Sequence, residues 1–179
     1  MMIEPGPHLI LPVGERDHAQ GLADAPLTLV EYGDFECPYC GMAYPIVKAA
    51  QRRLGDRLRF VFRNFPLSTA HPHAQHAAEA AEAADAQGKF WEMHDMLYEH
   101  QETLDDGHLR RFAEQSGLGL ARFERDMAEH RYAARVREDF MSGVRSGVNG
   151  TPTFFINGTR YDGSWAEGEL VRALEHAVP

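Results

Sequence analysis

The stretch DFECPYCGMAYPIVKAAQRRLGD, residues 34–56, contains both cysteines of the chain, Cys37 and Cys40, with proline and tyrosine between them. A helical pattern follows the pair at once. Pro38 suits the first position of that helix, because the N–H that proline lacks would have no partner there. Pro45 lies within the pattern and predicts a kink. Such a pair is compatible with half of a zinc site, a structural disulfide or a redox-active dithiol.

Strand patterns flank this helix on both sides. An apolar run over residues 27–32 precedes it, and a second run covers residues 58–65; both are rich in strand-forming residues. The helix between them is predicted over residues 38–54. This order of elements predicts a βαβ unit, whose two strands are parallel.

The pattern changes at residue 68. Residues 68–146 begin with an alanine-rich stretch and then repeat apolar residues at helical spacing, as in Val136, Phe140 and Val144. We expect about five helices here, packed as a subdomain.

Strand patterns return after residue 147. One strand is predicted over residues 153–156 and another over residues 159–161, and the sequence Asn157-Gly158 between them is typical of a type I′ hairpin turn. A closing amphipathic helix follows, with three apolar residues facing inward: Leu170, Val171 and Leu174.

The predicted organisation is an α/β fold with an insertion. Residues 1–67 and 147–179 form the α/β domain, and residues 68–146 form the all-helical insertion. A chain of 179 residues is long enough to bury a hydrophobic core without disulfides.

The charge balance argues against several classes of function. The net charge is −9, from 18 Lys and Arg against 27 Asp and Glu. An acidic chain without a basic stripe is a poor match for nucleic acid or for an anionic membrane surface. No apolar run reaches the ~18 residues that span a bilayer. We therefore expect neither nucleic-acid nor membrane partners.

The first residues, MMIEPGPHLILPVGER, do not form a signal-peptide pattern. No basic residue precedes Arg16, and a proline interrupts the short apolar stretch. We therefore expect a cytoplasmic protein, and a periplasmic or extracellular one only if a leader was removed.

Several motifs resemble those of DsbA-type thioredoxin-fold proteins. They are VEYGDFECPYC, FRNFPL, HPHA, AAEAA, GKFWEMHD and SGVNGTPTFFING, and the resemblance runs from about Asp17 to the C-terminus. Glutaredoxins also use Cys-Pro-Tyr-Cys, but they are much shorter and lack the insertion. The resemblance implies a thioredoxin fold, made of the βαβ unit, the β-hairpin and the C-terminal helix and interrupted by the helical insertion.

Cys37 is the expected nucleophile because it stands at the start of the helix. A thiolate attacks disulfides, and an ordinary cysteine with a pKa of ~8.5 is mostly protonated at neutral pH. The free N–H groups of the first helical turn face the Cys37 sulfur and favour its negative charge. Cys40 follows one turn later, close enough to resolve a mixed disulfide on Cys37.

The resemblance also implies a substrate-binding edge. Pro152 is expected to be a cis-proline that faces the dithiol, so that the backbone of Thr151 can pair with an extended substrate. Gly150 permits close approach of the substrate backbone. Pro38 and Tyr39, between the cysteines, are expected to contact substrate and to tune access and redox poise.

A buried base is the third implied part of the site. Glu31 is expected to lie beneath the dithiol with a raised pKa and to accept the Cys40 proton during resolution. Asp34 is a weaker alternative for the same task.

The two other interpretations of the cysteine pair are weaker. A structural zinc needs four ligands, and only two thiols exist, so three histidines would have to supply the rest: His71, His73 and His76. A structural disulfide that closes so short a loop would add little stability. Trp91 and Trp165 are expected in the core or at its rim, and the segment HDMLYEHQ is assigned no chemistry.

The predicted function is a thiol–disulfide oxidoreductase acting on protein or peptide thiols and disulfides, with no metal and no cofactor besides the Cys37–Cys40 disulfide. We expect a monomer and an unidentified redox recycling partner. A reducing cytoplasm favours the reductase direction, and export favours an oxidase or isomerase. Two alternatives stay open: a glutathione-dependent transferase or isomerase, which would not need Cys40, and a non-catalytic binding module whose dithiol is a redox sensor.

Overall fold

The computed structural model describes residues 7–166 and 168–178. Within these residues the chain forms a single five-stranded sheet surrounded by helices. The strands, in chain order, are β1 (His18–Gln20), β2 (Leu27–Gly33), β3 (Leu58–Asn64), β4 (Thr153–Ile156) and β5 (Thr159–Tyr161). Their order across the sheet is β1-β3-β2-β4-β5, which places β2 at the centre.

The predicted βαβ unit is confirmed. Strands β2 and β3 pair in parallel, with Leu29 opposite Phe60, and α1 (Pro38–Leu54) connects them through a short 3₁₀ turn. α1 continues through Pro45, so the predicted kink stays a prediction. The predicted hairpin is also present. Strands β4 and β5 are antiparallel, and both turn residues, Asn157 and Gly158, have the positive φ that a type I′ turn requires.

Strand β1 was not predicted. It has only three residues and pairs antiparallel with the outer edge of β3, with Ala19 opposite Val61. Its first residue, His18, is buried and stacks on the ring of Phe90 at a centroid distance of 3.6 Å. These contacts come from distant parts of the chain, so the local sequence carries no strong strand signal.

Five helices separate β3 from β4, as predicted for residues 68–146. They are α2 (Ala74–Asp85), α3 (Phe90–Glu99), α4 (Asp106–Gln115), α5 (Leu120–Ala128) and α6 (Ala133–Arg145). The alanine-rich α2 is almost entirely buried, because its small side chains let neighbouring helices approach closely. The last helix, α7 (Glu169–His176), buries Leu170 and Leu174, with Val171 partly buried against the same core.

The core lies on both faces of the sheet. On one face Leu29, Phe60 and Phe62 pack against α1, α3 and α7; on the other, Val30 and Phe155 form a smaller cluster. Trp91 and Trp165 are partly buried against the larger cluster, in agreement with the expected core or rim position. No helix among the described residues is both long and apolar enough to cross a membrane.

Candidate active site

The two cysteines lie where strand β2 gives way to helix α1. Cys37 has an extended backbone and precedes the first residue of the helix, Pro38. Its thiol donates a hydrogen bond to the carbonyl oxygen of Thr151, 3.5 Å from the sulfur. Cys40 is fully buried, and its sulfur accepts a hydrogen bond from the Asp34 N–H at 3.5 Å. Both cysteines are free and buried.

The pKa values of the two thiols are shifted in opposite directions. The pKa of Cys37 is lowered to about 5, chiefly by a hydrogen bond from the Cys40 thiol, with further support from the Thr151 side chain and the N–H groups of Cys40 and Tyr39. Burial and the neighbouring Cys37 raise the pKa of Cys40 well above its ordinary value. The pair therefore holds one thiolate and one protonated thiol at neutral pH. The predicted helix N–H groups contribute, but the second thiol has the larger effect.

The segment before β4 forms the other wall of the site. The Thr151–Pro152 peptide bond is cis. The Thr151 hydroxyl is buried and has no other partner among the described residues, which leaves it free to donate to the Cys37 thiolate. A Cβ at Gly150 would meet nothing within 4 Å, so this backbone borders open space. Tyr39 is 63% exposed on the first turn of α1 and gives the rim of the site an apolar surface.

Glu31 lies in the middle of strand β2, opposite Phe154 of β4. It is only 2% exposed, and its Oε1 has no hydrogen-bond partner among the described residues. Burial and the negative charge on Cys37 raise the pKa of this carboxyl to about 8. The structure thus places a buried, largely protonated carboxylic acid near the dithiol, and Glu31 in turn helps to raise the pKa of Cys40.

Asp34 is not a free base. Its Oδ1 accepts a hydrogen bond from the Glu36 N–H at 2.8 Å, and its Oδ2 accepts from the Leu67 N–H at 2.9 Å and pairs with Nδ1 of His71 at 2.7 Å. Both carboxylate oxygens are therefore occupied in fixing the loop before Cys37. This geometry argues against the alternative that gave Asp34 the proton of Cys40.

The three histidines considered as zinc ligands do not converge on the cysteines. Each pairs with a different acidic residue: His71 with Asp34, His73 with Glu36 and His76 with Asp106. Among the described residues, the groups able to hold a metal ion include neither cysteine. The zinc interpretation of the cysteine pair is therefore disfavoured.

The segment HDMLYEHQ, residues 94–101, contributes to the site although the sequence assigned it no chemistry. The side-chain amide of Gln101 donates hydrogen bonds to the carbonyl oxygens of Phe35 and Cys37, each at 2.9 Å. The Tyr98 hydroxyl is buried over Gly33, 2.8 Å from where a Cβ would lie. Gln101 thus holds the backbone of the cysteine loop in place through these two hydrogen bonds. No motif marks these residues, because their partners are backbone atoms distant in sequence.

Comparisons with known proteins agree with this geometry. A sequence profile of the family described as Thioredoxin matches residues 14–176. Among solved structures, BdbD from Bacillus subtilis superimposes with a TM-score of 0.82 at 24% identity, covering 97% of both chains. A thioredoxin-like oxidoreductase from Silicibacter pomeroyi gives a TM-score of 0.80 at 27% identity, covering 92% of this chain and 93% of that one. The chain belongs to this thioredoxin family, and its fold matches that of DsbA-like proteins.

Curated proteins similar in sequence to this chain are named as sodium–proton antiporters and not as thioredoxins. The chain is 46% identical over 170 residues to Na(+)/H(+) antiporter NhaA 1 of Mycobacterium sp. strain KMS, covering 93% of this chain and 28% of the antiporter. It is 51% identical over 171 residues to NhaA 1 of Salinispora arenicola, covering 95% of this chain and 26% of that protein. The chain therefore spans about a quarter of the length of these relatives.

Proposed function

We propose that this protein is a thiol–disulfide oxidoreductase that exchanges disulfides with protein or peptide substrates through Cys37 and Cys40. One observation carries the proposal: a sulfur whose pKa is lowered to about 5 stands at the start of α1, beside a second, buried thiol. A purely structural thiol pair has no need of such a difference in acidity.

The first step in the reducing direction is attack by the Cys37 thiolate on a substrate disulfide. A bond forms between the Cys37 sulfur and one substrate sulfur, the substrate S–S bond breaks, and the other substrate sulfur leaves as a thiolate. The low pKa keeps Cys37 ionised without a separate base, so this step needs no proton transfer from Cys37 at neutral pH.

The second step is resolution by Cys40. Its thiol must lose a proton before it attacks the Cys37 sulfur, forms the Cys37–Cys40 disulfide and releases the second substrate thiolate. Glu31 is the proposed acceptor of that proton. The charge on Cys37 helps to hold the Glu31 carboxyl in its protonated form. When the mixed disulfide forms, this charge disappears and the pKa of Glu31 falls toward the value that burial alone sets, so a larger fraction of the carboxyl is ionised when Cys40 has to lose its proton.

The substrate is proposed to lie along the segment before β4. The Thr151 carbonyl oxygen lies 3.5 Å from the Cys37 sulfur, and open space borders Gly150. An extended peptide could therefore pair with this backbone while its disulfide reaches Cys37. Pro38 and Tyr39 occupy the first turn of α1, directly after Cys37. The exposed Tyr39 ring offers an apolar contact to side chains of the substrate.

The direction of exchange depends on the compartment. In a reducing cytoplasm, the location that we propose, the dithiol is kept reduced by a recycling partner and acts as a reductase. In an oxidising compartment the same steps run in reverse. The low pKa of Cys37 stabilises the reduced form and so makes the disulfide a stronger oxidant in either setting. The disulfide itself carries the two electrons, so the proposed reaction requires no further cofactor.

An insulin-reduction assay separates the proposal from its two alternatives, a glutathione-dependent enzyme and a non-catalytic redox sensor. We expect turnover with dithiothreitol or a thioredoxin-reductase system for the wild type, and none for Cys37→Ser. Cys40→Ser should accumulate the mixed disulfide with the thioredoxin-reductase system, and with dithiothreitol it should turn over only as fast as the external thiol resolves that disulfide. A glutathione-dependent transferase would keep its activity in Cys40→Ser, and a non-catalytic redox sensor would show no turnover in any form.

The curated relatives favour a second, compatible function. We propose that a module of this kind also works beside a sodium–proton antiporter, because the chain matches about a quarter of the length of relatives that bear that name. The test is a chimera in which this chain replaces the matching region of the Salinispora arenicola protein. Antiport by the chimera in membrane vesicles should respond to oxidant and reductant, and this response should vanish in the Cys37→Ser, Cys40→Ser form. Redox-independent antiport in both chimeras would argue against the coupling.

A further inference from the structure

Outside the dithiol, a cluster of three side chains has the composition of a metal site. The ligand atoms of His76, Glu79 and His130 all lie within 4.8 Å of one another. Two imidazoles and one carboxylate are the donor set that zinc and its neighbours in the first transition row prefer. We propose that these three residues bind a divalent transition-metal ion, with Zn²⁺ as the expected occupant.

Two structural elements bring the ligands together. His76 and Glu79 stand three residues apart on helix α2, so both project from the same side of that helix. His130 comes from the turn between α5 and α6 and has a positive φ of 47°, which is uncommon for a residue with a side chain. Its N–H donates to the Met127 carbonyl at 3.1 Å, so the turn is hydrogen-bonded in this conformation.

Glu79 gives the cluster its charge. Its side chain is only 3% exposed, yet no Lys or Arg of the described residues lies within ion-pair distance. Its contacts are the Gln75 amide at 3.2 Å and Nδ1 of His130 at 3.1 Å. A buried carboxylate requires a cation or a set of hydrogen bonds. Here the group beside it is an imidazole, which binds a metal ion as readily as it binds a proton.

A second carboxylate orients one of the proposed ligands. Asp106 at the start of α4 lies 2.8 Å from Nδ1 of His76. A carboxylate bonded to one ring nitrogen is the usual arrangement behind a metal-binding histidine, because it fixes the ring and its tautomer and leaves the other nitrogen as the ligand. Asp106 is therefore a positioning residue in this proposal.

The cluster opens into a pocket of about 300 Å³. Its polar lining consists of His76, His130 and Asp106 together with the ion pair of Arg110 and Glu124, and Leu109, Phe123 and Met127 belong to the apolar remainder. Three protein ligands leave one tetrahedral position of Zn²⁺ unfilled. That position would face the pocket, so water or a small anion can complete the coordination.

The other group of similar composition does not have these features. His18 lies 2.8 Å from Glu82 through Nε2 and 3.4 Å from Asp85 through Nδ1. Its two nitrogens serve two different carboxylates, and one imidazole offers a metal only one of them. Asn64 also donates to Glu82 at 2.7 Å, so this group is already bonded internally.

The test is titration of the full, tag-free chain with Zn²⁺ by calorimetry and with Co²⁺ by visible absorption. The Cys37–Cys40 disulfide is formed first, because free thiols bind both metals. We expect one site per chain and the intense visible bands of a four-coordinate Co²⁺ centre. Glu79→Gln and His130→Gly should each weaken binding by at least about tenfold, since each removes a ligand. Glycine keeps the positive φ at position 130.

His108→Ala is the matched control, because His108 also pairs with an aspartate, Asp105, but lies outside the cluster. Its affinity for Zn²⁺ should equal that of the wild type. Zn²⁺ should also raise the melting temperature of the wild type and not that of Glu79→Gln. Absence of a Zn²⁺ isotherm in the wild type, or equal affinity in all variants with unchanged circular dichroism, would overturn the proposal.

Discussion

Gln101 donates a hydrogen bond from its side-chain amide to the carbonyl oxygen of Cys37, at 2.9 Å. The same nitrogen reaches the carbonyl oxygen of Phe35, also at 2.9 Å. A residue of the helical segment thereby holds the backbone on which the nucleophile stands. The close approach depends on Gly41, since a Cβ there would lie 1.9 Å from Oε1 of Gln101.

Gln101→Ala and Gly41→Ala should therefore break the same contact from opposite sides. Each hydrogen bond contributes about 1 kcal/mol, so each variant should lose roughly 2 kcal/mol of unfolding free energy. Because the contact is shared, the double variant should lose much less than the sum of the two single losses. Urea unfolding of the four proteins measures this. Strict additivity would show that the two residues act independently.

The pKa of Cys37 should be directly visible in its alkylation rate. The rate should rise through a midpoint near pH 5 and then stay constant, with the label mapped to Cys37 by mass spectrometry. Cys40→Ser should move this midpoint upward, because the Cys40 thiol supplies the largest stabilisation of the thiolate. A fast-reacting thiol that maps to Cys40 would reverse the assignment of the two cysteines.

Replacing Glu31 should affect resolution and stability in opposite ways. Its folded pKa of about 8 exceeds the unfolded value of 4.5, so the folded state loses stability as pH rises from 4.5 to 8. Glu31→Gln removes that penalty and should stabilise the reduced protein by up to roughly 3 kcal/mol near pH 7, and little near pH 4.5. The same variant should release the mixed disulfide more slowly while forming it at the wild-type rate, as followed by stopped-flow fluorescence. If release is also unchanged, Glu31 does not accept the Cys40 proton.

His18 should make stability depend on pH in the alkaline range. Burial would lower its pKa, but bonds to Asp85 and Glu82 outweigh burial and raise it to about 9. A raised folded pKa gives stability that is fully present below pH 6.5 and lost as pH rises to 9. The difference in unfolding free energy between wild type and His18→Gln should shrink by up to about 3 kcal/mol across this window. A constant difference would mean that His18 is neutral in the folded protein.

The elements that the sequence predicted are those with a local signal. The βαβ unit shows apolar runs on either side of a helical pattern, and the hairpin carries Asn157-Gly158 at its turn. Strand β1 lacked such a signal, because its position depends on contacts of His18 with α2 and α3.

The residues of the candidate site also fall into those that a local sequence signal indicates and those that it does not. Cys37 and Cys40 could be assigned from their spacing and the helix that follows. The positions of Thr151, Pro152 and Glu31 were inferred from resemblance, since nothing local indicates that residues 114 positions apart meet. Gln101 could not be found from the sequence, because it acts on backbone carbonyl groups, which every residue possesses.

The reduction potential of the Cys37–Cys40 pair tests the central claim most directly. It is measured by equilibrating the chain with glutathione buffers at pH 7 and counting free thiols by mass-tagged alkylation. A Cys37 pKa of about 5 stabilises the reduced form more than the pKa of about 7 found in thioredoxin. We therefore predict a single two-electron transition, with both thiols disappearing together, at a potential roughly 50 mV above the −270 mV of thioredoxin. Thiols that stay free across the range of buffers, or a potential at or below that of thioredoxin, would contradict the account.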